Sequence, residues 1–220
     1  MAVDTIICLR TRLRLTGRTI LHWASARGRK SLILKLLAQG AKIHVNRTDE
    51  DGMTALHSAT LLGNWDIVKL LLENGADIEA RNAEGWTPLL CASITGDHQT
   101  ASILLEKGAD IATRCLKYPR WTALYYAAAL GRFEVVDLLI KRGSSIEATE
   151  MSRVISNAVV AGEKRTVQLL LSHAKYDTVP KVTWPEHDLS NMLSSMAKSD
   201  MLYRSYFEHG LVEILFEAFT

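Results

Sequence analysis

The side chains best able to hold a metal ion or attack a substrate are seven histidines and three cysteines, spread over 220 residues. Cys8, Cys91 and Cys115 are far apart, with no CxxC pair, so neither a disulfide framework nor a thiolate metal site follows. Cys91 lies in an apolar run and reads as a small packing residue, because a reactive thiol needs an electropositive, accessible setting. His22 and His57 each follow a threonine by three residues but have no partners at the spacing that catalysis or zinc ligation requires. His98 reads as an edge residue rather than a ligand. Thr19, Thr54, Thr87 and Thr122 have no adjacent base, and their hydroxyls suit the free backbone amides at helix starts. No phosphate loop, DHHC motif or pair of catalytic carboxylates is present. No catalytic residue, metal or cofactor is therefore expected, and the chain is not expected to be an enzyme.

The elements that carry these residues must come from an ordinary globular composition. A hydrophobic content of 48% supplies a core, and a net charge of +2 is too small to make the whole molecule a polyanion binder. No run of about 18 apolar residues suggests a membrane span. In the opening MAVDTIICLRTRLRL the arginines follow a short apolar run, the reverse of a secretory signal. The expectation is an intracellular protein of the cytoplasm or nucleus.

A period organises the chain. Gly28, Gly63, Gly96, Gly131 and Gly162 follow one another at steps of 35, 33, 35 and 31 residues. Gly40, Gly75, Gly108 and Gly143 stand twelve residues after the first four, and the four threonines open the same blocks. Within a block, TALHSATLLG makes a short helix that glycine closes, as a left-handed helix terminus favours. NWDIVKLLLENG makes a second helix, with Ile67, Val68, Leu71 and Leu72 on one face. ADIEARNAEGW then crosses to the next block through a hairpin-like finger at Gly85. Two short helices cannot bury their apolar faces alone, whereas stacked copies can. The spacing predicts helix pairs near 19–38, 54–73, 87–106, 122–141 and 153–172.

These marks resemble the ankyrin family, whose unit carries T-P-L-H-x-A near its start and L-L-x-x-G-A-D near its end. The first motif stands here as TILHWA, TALHSA, TPLLCA and TALYYA, and the second as LLAQGAKI, LLENGADI, LLEKGADI and LIKRGSSI. The resemblance implies an all-α ankyrin-repeat solenoid of five to six helix-turn-helix units with short hairpin fingers. Residues 1–13 read as an N-terminal basic cap, 14–176 as repeats one to five, and 177–220 as a degenerate sixth repeat with a C-terminal capping helix. The sixth repeat lies over 187–210, and Trp184 would cover the last repeats. The resemblance also implies that His22 and His57 make structural hydrogen bonds between neighbouring turns. Leu90 and Tyr125 replace that histidine in the next two units. Trp65 and Phe133, at one shared position, are expected in the core.

Function then lies in surface rather than chemistry. In ankyrin stacks the fingers and first helices line the concave face that partners occupy. Met53, Trp86 and Trp121 precede the threonine of three successive units, and Leu61, Leu62, Ile94 and Leu130 lie just before the middle glycines. Polar residues are expected where solvent is met, so this apolar strip reads as a protein-binding face, with tryptophan a preferred anchor. Arg10, Arg12, Arg14, Arg18 and Arg27 form a possible basic patch, read first as a solvated cap and second as a docking site. The chain is expected to be a monomeric, non-catalytic protein-interaction module (an adaptor or scaffold) with a protein partner. The alternatives are a binding or regulatory part of a larger multidomain chain, or nucleic-acid binding through the arginine-rich start. No aromatic residue interleaves those arginines before Trp23, which disfavours nucleic acid.

Overall fold

The computed structural model of the protein describes residues 17–38, 44–116, 121–144, 154, 155, 158 and 163–173. The N-terminal cap with Arg10, Arg12 and Arg14, Trp184, the sixth repeat and the capping helix lie outside the described residues. The chain divides into two compact units, residues 1–126 and 127–220.

Helices come in pairs at the four anticipated places between residues 19 and 141, and one more described helix overlaps 153–172. They are α1 (Ile20–Ala26) with α2 (Lys30–Ala38), α3 (Ala55–Leu61) with α4 (Trp65–Glu73), and α5 (Pro88–Thr95) with α6 (His98–Glu106). Next come α7 (Ala123–Ala129), α8 (Phe133–Lys141) and α9 (Lys164–His173). Thr19, Thr54 and Thr87 stand at the N-caps of α1, α3 and α5, each accepting a backbone N–H three residues on. Pro88 fits the first position of α5, where a missing N–H costs nothing. Between α3 and α4 the chain reverses at Gly63, whose φ of +66 lies in the left-handed region. A Cβ there would also come 3.3 Å from a carboxylate oxygen of Asp97, in the next repeat's turn.

In the first unit α1 packs on α3, α3 on α5, and α4 on α6. Leu56 and Leu89 from the first helices, with Ile67, Leu71 and Leu104 from the second, are fully buried between layers. In the second unit α8 packs on α9, burying Val135, Val136, Leu139, Val167 and Leu170. Val154, Ile155 and Ala158, in the segment expected to form a fifth repeat, are also buried.

Trp65 departs from expectation. It is 43% exposed, because it is the first residue of α4 and precedes the stripe of Ile67, Val68 and Leu71 that faces inward. Leu72, placed on the same stripe, is only half-buried. Phe133 is half-buried, and the Arg165 guanidinium covers its ring at 4.2 Å.

The fingers are turns rather than strands, and among the described residues the β-pairing is an isolated bridge between Arg114 and Thr122. In the first, the Asp49 N–H donates to the Met53 carbonyl at 2.9 Å, while Asp49 Oδ1 accepts the N–H groups of Asp51 and Met53. Asn82 repeats this with Glu84 and Trp86. Successive fingers are joined directly, since the Ala83 N–H donates to the Asp51 carbonyl at 2.9 Å. Gly52 permits that approach: its φ is +71, and a Cβ there would lie 2.7 Å from the Ala83 nitrogen.

Candidate functional site

The finger face begins with the histidines that fix it. In a neutral imidazole one nitrogen donates and the other accepts, so the partners define the tautomer. His22 Nε2 lies 2.8 Å from the Met53 carbonyl and must carry the proton there. Its Nδ1 accepts the Thr19 N–H at 3.1 Å, while the His22 N–H reaches back to Thr19 Oγ1. His57 makes the same set one repeat on, with Nε2 donating to the Trp86 carbonyl at 3.0 Å and Nδ1 accepting the Thr54 N–H at 3.2 Å. Each histidine thus caps its own helix and clamps the next repeat's finger at the residue before its threonine. Burial lowers both imidazole pKa values, the hydrogen bonds to carbonyls opposing it only in part.

The clamped residues are those the sequence assigned to partner contact. Met53 is half-buried, and its sulfur lies 3.2 Å from the Asn82 amide nitrogen. Trp86 is half-buried too, edge-on to Tyr126 with ring centres 6.2 Å apart, and its enclosed indole N–H has no hydrogen-bond partner among the described residues. Trp121 stacks on Tyr125 at 5.0 Å and meets Tyr126 edge-on at 5.4 Å. Met53, Trp86 and Trp121 therefore each show part of their surface, and the two indoles rest on tyrosines. Leu61 and Ile94 are half-buried, whereas Leu62 is 61% exposed. In the second unit Leu130 is 45% exposed.

Of the proposed basic patch, Arg18 is committed to structure. Its Nε lies 3.0 Å from Asp49 Oδ2, and the Asp49 side chain is buried under the finger it organises. Arg27 is exposed. The Cys91 thiol is pushed by burial up to about 12, which leaves it protonated and unreactive at neutral pH. Cys115 is buried as well, and its S–H donates to the Glu84 carbonyl at 3.3 Å. Among the described residues no three His, Cys, Asp or Glu side chains gather in a way that could hold a metal ion. Nor is any described helix long and apolar enough to cross a membrane.

A family model described as ankyrin repeats, in three copies, matches residues 3–82 and 76–150, about two thirds of the chain. The protein belongs to the ankyrin-repeat family. Its fold is the family's all-α solenoid, and the human ASB11 ankyrin repeat domain resembles it with a TM-score of 0.64 at 28% identity, over 71% of this chain and 70% of that one. Inversin from Gallus gallus is 42% identical over 66 residues, 30% of this chain and 6% of inversin. The 26S proteasome non-ATPase regulatory subunit 10 of Dictyostelium discoideum is 48% identical over 60 residues, 27% of this chain and 25% of that protein. The similarity thus spans a small part of these relatives' length and lies in the repeats. Ankyrin repeats are typically non-catalytic modules for protein–protein interaction.

Two features of this ankyrin protein escape the motif. Asp49 and Asn82 anchor the fingers, and their signal is an Asx residue three positions before glycine, as in DEDG and NAEG. The tyrosine pair 125–126 supports both tryptophans; its second member lies outside the T-x-L-x motif, so the repeat pattern gave it no role.

Proposed function

We propose that the protein is a non-catalytic adaptor that binds a protein partner along its finger face, at Met53, Leu61, Leu62, Trp86, Ile94 and Trp121. Leu130 marks the matching position on the fourth repeat. One observation carries the reading: the backbone carbonyls of Met53 and Trp86 are held by His22 and His57. A contact residue whose backbone is already fixed loses little further freedom on binding, so more of its contact energy becomes affinity. The part-exposed tryptophans suit this role, because aromatic side chains are preferred anchors and carry little rotamer entropy. An extended segment or a helix of the partner fits such a row of anchors spaced one repeat apart. The chain is read as monomeric, with its partner in the cytoplasm or nucleus.

The test uses the purified chain as bait, followed by affinity measurement on the partner recovered. Trp86→Ala/Trp121→Ala is expected to weaken that affinity by about 2 kcal/mol or more per anchor, with helicity retained at the assay temperature. Amide exchange in the complex should slow across both fingers. A partner whose affinity is indifferent to both tryptophans would place the interface elsewhere.

A further inference from the structure

A second surface lies at the turns between paired helices. The Asn64 side-chain amide donates to the carbonyls of Ser25 and Ala26 at 2.9 and 3.0 Å, seating the second repeat's turn against the first. Lys30 Nζ stands 3.9 Å from Asp66 Oδ2 across the same joint. This joint sets the turn that carries exposed Arg27, Arg29 and Lys30 against the turn that carries Leu62 and Trp65, which are 61% and 43% exposed. Among the described residues the three cations here outnumber two carboxylates, Asp66, whose contact with Lys30 is at the outer limit of an ion pair, and Asp97, which lies against Gly63.

The ring of Trp65 is also uncovered where its counterpart is not. Phe133 lies under the Arg165 guanidinium. One repeat after Trp65, the position matching Arg165 is Gln99, which brings no cation. A leucine and an indole left open beside cations is an arrangement that favours association, since apolar anchors supply affinity and surrounding charge supplies steering and choice of partner.

We infer that this turn edge is a second docking surface, which meets the finger face at Leu62 and is otherwise separate from it, for an acidic protein segment that carries an apolar or aromatic anchor. Leu62 and Trp65 receive the anchor, and Arg27, Arg29 and Lys30 meet flanking carboxylates, with arginine suited to bidentate pairing. A nucleic-acid backbone fits less well. The cations end after one turn, and Asp66 and Asp97 follow in the next two, so a continuing run of phosphates would meet carboxylates.

The experiment selects a displayed random-peptide library on the purified chain and measures the recovered peptides by fluorescence anisotropy at physiological salt. Recovered sequences should be rich in Asp and Glu around Leu, Phe or Trp. Their dissociation constants should rise at least about tenfold for Trp65→Ala and for Arg27→Glu/Arg29→Glu. They should stay within about twofold for Trp86→Ala/Trp121→Ala, which separates this surface from the finger face. Both Trp65 and the arginines are exposed, so melting temperatures should hold. Failure to recover acidic peptides overturns the inference, as does binding that ignores Trp65 or follows Trp86 and Trp121. Displacement of the peptides by a short duplex DNA that itself binds independently of Trp65 would reassign the patch to phosphate.

Discussion

A neutral ring is the condition for each histidine clamp: Nδ1 accepts the threonine N–H, and a proton added there would face that donor. Both pKa values lie below the ordinary 6.5 because of burial. The unfolded chain therefore binds more protons than the folded one as pH falls through about 6.5. The stability contributed by the neutral histidines is full above that pH and is lost progressively below it, down to the lowered native values. Urea unfolding at a series of pH values should show falling stability between about pH 7 and 5. His57→Leu, which installs the residue the third repeat carries at this place in Leu90, should flatten part of that slope. An unchanged slope would remove His57 from the linkage. The thiols give a second check at this scale. Because Cys91 titrates only near 12, iodoacetamide should leave it and buried Cys115 unmodified in the native protein and label both in urea, as read by peptide mass.

At the scale of elements, each repeat is fixed by a few fully buried side chains and one close approach. Leu71 and Leu104 have no exposed surface, and shortening either to Ala should cost about 2–5 kcal/mol in chemical denaturation. Gly52→Ala adds a methyl group against the Ala83 nitrogen at a positive φ and should cost about 1–3 kcal/mol, while far-ultraviolet circular dichroism stays near native. A loss under a few tenths would mean that the fingers separate freely. The helices were legible because threonine starts, glycine stops and an apolar stripe each have a local physical cause at fixed spacing. Trp65 was misread because a periodic stripe tells which face is apolar but not where the first turn of a helix leaves the layer. The hydrogen bonds between fingers were not legible either: they depend on how neighbouring repeats stack, and no residue type announces a backbone N–H meeting a carbonyl about thirty positions earlier. The candidate contact residues can be named from sequence, but the packing of Trp86 and Trp121 on Tyr125 and Tyr126 cannot, because side-chain support across repeats has no period of its own.

For the molecule as a whole, stability is carried by joints between neighbours rather than by one central core. Loss of a buried leucine in a middle repeat should therefore weaken the coupling on either side of it. Leu71→Ala should broaden the denaturation curve or split it into two transitions, and a single sharp midpoint shifted without broadening would show a more cooperative assembly. The aromatic group beneath the fingers has an optical consequence. Trp121 stacked on Tyr125, with Tyr126 edge-on to both Trp86 and Trp121, places four chromophores at fixed mutual angles and short range. Their electronic transitions couple, giving near-ultraviolet circular dichroism and tyrosine-to-tryptophan energy transfer that depend on those angles. A partner that shifts either indole would alter both signals, so the protein reports its own occupancy without a label.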